Sequence, residues 1–152
     1  MDQAVAEADK AVVLGPGYAD AHATRGGILI YASRPAEAIE SLEKAMQLEP
    51  RYPTLWLHFL AHAHFIDHGY NEAVRLLKRR IRQQPDTDIS RALLAACYGH
   101  LGFTAKARDA WAGLREINPD FSIERRAKVV PYRNPDDWEL FVDGLRKAGL
   151  PA

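Results

Sequence analysis

The sequence is poor in the features that mark secreted and membrane proteins. Its single cysteine, Cys97, excludes an intramolecular disulfide and fits a reducing compartment. No apolar run approaches the ~18–20 residues that a membrane span needs. The first twenty residues carry Asp2, Glu7 and Asp9 where a signal peptide would have an apolar core. These absences predict a soluble, cytoplasmic chain without a membrane partner.

The chain also has no excess of charge of either sign. Its 20 basic and 20 acidic residues give a formal net charge of zero, so no overall field attracts it to nucleic acid or anionic lipid. Hydrophobic residues make up 47% and charged residues 26% of the 152 positions, which is typical of a folded globular chain. The composition predicts one domain with its own core and no nucleic-acid partner.

Proline recurs at an almost constant interval, at positions 16, 50, 85 and 119. Each of these prolines follows an alanine by twelve residues, and the alanines are Ala4, Ala38, Ala73 and Ala107. A period of 34 or 35 residues, with apolar positions three and four apart between the prolines, is typical of helix-turn-helix repeats. Such repeats stack into an all-helical solenoid.

The period divides the chain into a half repeat (residues 1–18), three complete repeats (19–52, 54–87 and 88–121) and a helical tail (122–152). In phase with the later repeats, Met1–Leu14 is a second helix that lacks its first helix. Repeats bury their apolar faces only against neighbours. We therefore expect that the chain belongs to a longer protein or that something covers this face.

Within the repeats, the sequence predicts several local features. Gly26-Gly27 lies mid-helix, where glycine costs roughly 1 kcal/mol relative to alanine, so we expect a neighbouring helix to approach closely there. The partner helix Pro35–Leu48 should turn Leu48 inward, and Gly69 should make the turn of the second repeat. Arg80 stands where the first repeat has the small residue Ala45.

The tail has its own start and stop signals. Ser122–Lys128 can form a short helix, and Val129–Arg133 should be extended or looped because proline disfavours helix before it. Asn134-Pro135-Asp136-Asp137 combines a cap, a first-turn proline and acidic residues, and predicts a helix over Asp136–Ala148. We interpret this helix as the terminal cap of the array.

The third repeat has the clearest family pattern. Its residues Leu94-Ala95, Tyr98, Ala107, Trp111 and Pro119 resemble the tetratricopeptide repeat, and the resemblance covers about residues 2–121. It implies a right-handed α-solenoid that acts as a protein-interaction scaffold. Arg25 and His64 depart from the leucine and tyrosine that the family pattern usually has at their places.

The tail carries a second resemblance. Pro131–Asp136 and Gly144–Pro151 resemble the C-terminal ends of tetratricopeptide regions in bacterial class III adenylate/guanylate cyclases. This implies an accessory region of a cyclase-like signalling protein, whose catalytic domain would lie upstream. None of that domain's catalytic residues maps onto this chain, so we expect no enzymatic activity and no cofactor.

In the tetratricopeptide family, the first helix of each repeat lines a concave groove. Carried over by resemblance, the groove positions are Asp20, Ala23, Gly27 and Ile30 in the first repeat, Leu55, His58, Phe59, His62 and Phe65 in the second, and Ile89, Ala92, Leu93 and Ala96 in the third. The basic and amide residues that some members use to clamp a carboxylate are absent. We expect this apolar groove to bind a hydrophobic helix or extended segment, or to be filled by another copy or another domain of the parent protein. Aspartate at Phe65 or Ile89 should then abolish partner capture. The alternative function, in place of partner binding in the groove, is homodimerisation through the exposed half repeat.

Two local clusters suggest other chemistry. His58 and His62 share one helical face and His64 and His68 share another, so the four cannot converge on one ion. A pair alone is too few ligands for the usual zinc site, and groove lining or partial packing is favoured.

The second cluster is a basic run without an aromatic platform, formed by Arg75, Lys78, Arg79, Arg80 and Arg82. A solvated outer face is therefore favoured over a nucleic-acid site. Cys97 and the three tryptophans are expected in the core.

Overall fold

The computed structural model describes residues 1–151, and this part of the chain contains nine helices and no strand. The helices are α1 (Asp2–Leu14), α2 (Ala19–Tyr31), α3 (Pro35–Leu48), α4 (Leu55–Ile66), α5 (Tyr70–Gln83), α6 (Asp88–Leu101), α7 (Thr104–Ile117), α8 (Ile123–Ala127) and α9 (Pro135–Lys147). The all-helical solenoid that the period predicted is confirmed.

The helices pair in sequence order and then stack. α2 packs on α3, α4 on α5 and α6 on α7, while α3 also contacts α4 and α5 contacts α6. α2, α4 and α6, the first helices of the three repeats, form an inner row. The recurring alanines Ala38, Ala73 and Ala107 are fully buried, whereas Ala4 on α1 is exposed.

The half repeat is held to the first complete repeat by a polar contact. Arg25, which departs from the family leucine, donates from Nε to Asp9 Oδ1 at 2.7 Å and also hydrogen-bonds to Ser41. One guanidinium therefore joins α1, α2 and α3. At the far end of α1, Val13 and Leu14 remain exposed.

Only one of the two mid-helix glycines is required for packing. A Cβ at Gly26 would lie 2.6 Å from Leu42 Cγ and 3.3 Å from the carbonyl oxygen of Ala38, which confirms the expected close approach of α3. A Cβ at Gly27 would meet nothing closer than a Phe59 ring carbon at 4.0 Å. Gly27 therefore faces open space on the inner row.

The turn inside each repeat has one residue in the left-handed region, and this corrects one prediction. The three residues are Ser33 (φ 60°), His68 (φ 62°) and Gly102 (φ 80°). Gly69, the predicted turn residue, has φ −87° at the start of α5, so the turn lies one residue earlier than expected.

The prediction that Leu48 points inward is wrong. Leu48 is exposed because it ends α3, beyond Ala45, the last fully buried residue of that helix.

The tail folds back on the inner row. Asn134 caps α9 by accepting the N–H of Asp136 at 3.0 Å, which confirms the predicted start. The main partner of α9 is α6. The two helix backbones touch, because a Cβ at Gly99 would lie only 1.7 Å from the carbonyl oxygen of Gly144. The cap helix therefore lies on the groove side of the third repeat.

Candidate functional site

Residues 128–134, which we call the C-terminal strap, cross the inner row between α8 and α9. The main-chain N–H of Arg133 donates to the carbonyl oxygen of Tyr31 at 2.8 Å. The Tyr132 ring lies 4.9 Å from the Tyr31 ring and 5.7 Å from the His62 ring, measured between centroids, and its hydroxyl is 2.5 Å from His62 Nε2. The strap thus divides the groove into an open part and a covered part.

The open part is a cavity of about 790 Å³ between α1, α2 and α4. Its lining is mostly apolar and consists of Met1, Ala4, Asp20, Ala23, Thr24, Gly27, Ile28, Tyr31, Trp56, Phe59 and Pro131. Four of the predicted groove residues lie here: Asp20, Ala23, Gly27 and Phe59. The Asp20 carboxylate is exposed in this lining.

The covered part lies under the tail. Five predicted groove residues, His58, His62, Ile89, Ala92 and Leu93, line a residual cavity of only about 30 Å³ together with residues of the tail. The tail residues around it include Arg126, Val130, Tyr132, Trp138 and Phe141. This half of the groove is filled by the chain itself.

The remaining predicted residues do not line either cavity. Leu55 is exposed at the start of α4, whereas Ile30, Phe65 and Ala96 are 0–1% exposed. The Phe65 ring packs against Tyr70 and His100, with centroids 5.5 and 5.7 Å apart. Aspartate at Phe65 would therefore disturb the core rather than report on partner binding, and aspartate at Ile89 would disturb the docking of the tail.

A buried polar network supports the covered part from behind. Arg80 is 5% exposed and donates from Nε to Ser90 Oγ at 2.8 Å and from Nη1 to Thr54 Oγ1 at 3.1 Å. Ser90 Oγ also lies 2.9 Å from His58 Nδ1. The arginine that replaces a small residue in the second repeat thus connects α4, α5 and α6.

Both groove histidines are neutral at neutral pH. Burial, assisted by the positive charge of Arg126, lowers the pKa of His62 to about 4. Burial also lowers the pKa of His58, assisted by His62 and Arg80. The two rings are 6.0 Å apart, as expected for one helical face. Within residues 1–151, no group of three or more histidine, cysteine, aspartate or glutamate side chains is placed to hold a metal ion.

The other clusters have structural roles. Arg75, Lys78, Arg79 and Arg82 are exposed on α5, opposite the buried Arg80. Cys97 is fully buried, and burial raises the pKa of its thiol. Trp56 and Trp111 are buried and Trp138 is half-buried, as predicted. None of the helices within residues 1–151 combines the length and the apolar composition of a membrane span.

Four further groove residues carry no local signal in the sequence: Tyr31, Ser90, Arg126 and Tyr132. The contact between Tyr132 and His62 spans 70 residues, and no local pattern encodes such a distance. The one available signal was Arg80, whose place in the repeat should hold a small side chain. A buried arginine needs acceptors nearby, and this need could have pointed to Ser90.

Comparisons with known proteins agree with this architecture. A family model described as "Tetratricopeptide repeat" matches residues 29–97. Two crystal structures of MamA superpose with TM-scores of 0.72 and 0.71 at 22% identity, covering 97% of this chain and 88% and 82% of theirs. YrrB, whose title calls it "a TPR protein with an unusual peptide-binding site", superposes with a TM-score of 0.66 at 21% identity over 97% of this chain and 75% of its own. At these identities the likeness shows the fold.

One curated relative matches over a short stretch. It is "Putative adenylate cyclase 3" of Rhizobium meliloti (strain 1021), which is 36% identical over 44 residues. The match spans 29% of this chain and 8% of that protein.

Proposed function

We propose that this chain, a solenoid of tetratricopeptide repeats, is a non-enzymatic scaffold that binds an apolar segment of a protein partner in the open part of its groove. The observation that carries the proposal is the cavity of about 790 Å³ on the inner row, lined mostly by apolar residues of α1, α2 and α4. Its size lies within the range of about 300–1,000 Å³ that is usual for ligand sites.

The lining indicates the chemistry of the partner. Ile28 and Phe59 are only partly buried in the free chain, so an apolar side chain placed against them would remove further surface from water, at about 25 cal/mol per Å². Asp20 adds a carboxylate that can accept an N–H group or pair with a basic side chain. An apolar helix or extended segment with one basic residue fits these features.

Gly27 allows a clean test, because a side chain there would point into the cavity without meeting the backbone. Peptides would be selected from a random library against the unmodified chain and then measured against Gly27→Trp, in which the indole fills the cavity. We expect a loss of affinity of at least ~tenfold. The matched control is Gly17→Trp, in the loop after α1, where a Cβ also meets nothing within 4 Å. Equal affinity for both variants would refute the groove assignment.

We also propose that the scaffold is a cytoplasmic accessory region of a bacterial nucleotide-cyclase-like signalling protein. The support is the 44-residue similarity to the Rhizobium meliloti protein together with the resemblance of the tail. The reading frame and genes around the coding sequence test this. A class III catalytic domain is expected there, and a survey that finds none would overturn the proposal.

A second candidate function is self-assembly through the half repeat. Val13, Leu14 and Tyr18 are 77%, 76% and 74% exposed at the end of α1 and in the loop that follows, and large apolar side chains clustered at a surface are typical of interfaces. Light scattering at high concentration should then show dimers that Leu14→Glu dissociates. A strict monomer would remove this candidate.

A further inference from the structure

We propose that the C-terminal strap is an intramolecular ligand of the groove, and that the partner segment is an extended, tyrosine-bearing stretch that competes with it. This inference rests on the proposed function and names the partner's chemistry and the regulation of its site. The partner would bind first in the open part and then displace the strap from the covered part.

The strap is held in the way that peptides are held by their receptors. Recognition of an extended segment combines main-chain hydrogen bonds with a pocket for an anchoring side chain. The N–H of Arg133 supplies the main-chain bond to Tyr31, at 2.8 Å. Tyr132 supplies the anchor, since its ring packs against Tyr31 and His62 and its hydroxyl hydrogen-bonds to His62 Nε2. A partner that reproduces both contacts would satisfy the same groups.

The two parts of the groove are continuous at the strap. Pro131 lines the open cavity, while its neighbours Val130 and Tyr132 line the covered one. A segment lying along the open part therefore reaches Pro131 as soon as it extends toward α6. Departure of the strap would expose His62, whose ring and Nε2 contact Tyr132, to the incoming segment.

Around the Tyr132 anchor, the residues of the strap lie at the surface. Val129, Pro131 and Arg133 are exposed, and the ion pair between Arg133 and Asp2 lies at the surface, where such pairs contribute little to stability. By contrast, α9 is fixed by backbone contact with α6 and by buried apolar side chains. The strap can leave the groove while the helix after it stays docked.

Tethering makes the strap a strong competitor even when its contacts are weak. A segment joined through a short linker acts at an effective concentration in the millimolar range. A free peptide of the same sequence should therefore bind poorly to the unmodified chain. It should bind well once the strap has lost its anchor.

The test uses a labelled peptide of residues 128–134, Lys-Val-Val-Pro-Tyr-Arg-Asn, titrated into the full chain and into Tyr132→Ala. We expect the peptide to bind Tyr132→Ala at least ~tenfold more tightly than the unmodified chain, and Tyr132→Phe to give an intermediate affinity. The control peptide with alanine in place of tyrosine should not bind. If the labelled peptide binds both proteins equally, or binds neither, the strap is not a ligand of the groove.

A second measurement needs no substitution. Hydrogen exchange of the unmodified chain should show the Arg133 amide exchanging at least ~tenfold faster than amides in the middle of α9, because the strap opens locally. Equal rates would mean that the strap opens only when the tail unfolds, and would overturn the proposal. If the exchange rates were equal but library peptides still lost affinity for Gly27→Trp, the proposed function would stand without the strap. If the Arg133 amide exchanged faster but library peptides bound Gly27→Trp unchanged, only the binding role of the open cavity would be refuted.

Discussion

Replacing Gly99 by alanine tests whether α9 is docked on α6 as described. A Cβ at this position would lie 1.7 Å from the carbonyl oxygen and 2.7 Å from the carbonyl carbon of Gly144, and both are backbone atoms. Ordinary contact with a Cβ needs about 3.4 Å or more, and a helix backbone cannot rotate aside as a side chain can. The whole of α9 would have to move by more than about 1 Å.

The expected cost is the difference between two opposing effects. Alanine is favoured over glycine inside a helix by up to about 1 kcal/mol. Overpacking a close contact costs about 1–3 kcal/mol, occasionally more, and a clash between two backbones belongs at the upper end. α9 also buries Phe141, Val142 and Leu145, so its displacement loosens packing along its length. We expect a net loss of about 2 kcal/mol in the free energy of unfolding.

Gly113→Ala provides the matched control in α7. There the nearest atom to a new Cβ is Arg91 Nη1, at 2.6 Å, which is the end of a flexible side chain. Alanine should be accommodated and should stabilise the chain by about 0.5–1 kcal/mol. Both substitutions replace glycine by alanine inside a helix. Opposite signs of the two changes in the free energy of unfolding would therefore isolate the contact between α6 and α9.

Urea denaturation measures both changes, and fluorine NMR with fluorotryptophan locates them. Trp138 lies on α9, whereas Trp56 and Trp111 lie on α4 and α7, so Gly99→Ala should shift mainly the Trp138 resonance. A Gly99→Ala protein as stable as Gly113→Ala, or one in which Trp138 does not shift, would refute the docking of α9.

Two further predictions concern acid and the turns. The pKa of His62 is about 4 in the folded chain and about 6.5 when unfolded, so its contribution to stability is complete above about pH 6.5 and is lost as the pH falls toward 4. We expect the titration of His62 to lower the free energy of unfolding by about 2 kcal/mol between pH 7 and 5, with a further loss from His58. Urea denaturation of His62→Gln should show a flatter dependence of this free energy on pH. Arg80 and Arg126 add to the effect because they lie near the rings. In the turns, His68 and Gly102 both have positive φ. His68→Gly should therefore stabilise the chain by about 0.5 kcal/mol, and Gly102→Ala should destabilise it by about 1 kcal/mol. Melting curves that shift in the same direction for both would contradict the left-handed assignment.

The repeat architecture was determined by the sequence alone. The helix Pro35–Leu48 has the bounds that its first-turn proline and apolar spacing predicted, and Asn134 caps α9 as expected. The recurring alanines Ala38, Ala73 and Ala107 are buried where helices cross. These features could be predicted because helix periodicity, capping and turn chemistry act over a few residues, and a repeat multiplies the same local signal.

The state of the groove was decided only by tertiary structure. The family pattern placed His58, His62 and Leu93 on the inner row, but it could not show that the tail would cover them, with Tyr132 reaching His62 across 70 residues. Phe65 shares their helix and yet turns into the core against Tyr70. Contacts between distant segments depend on which surfaces fit once all helices have packed. For this chain, that fit is the backbone approach of Gly99 to Gly144, which brings the tail onto the groove and leaves the part beside Gly27 open.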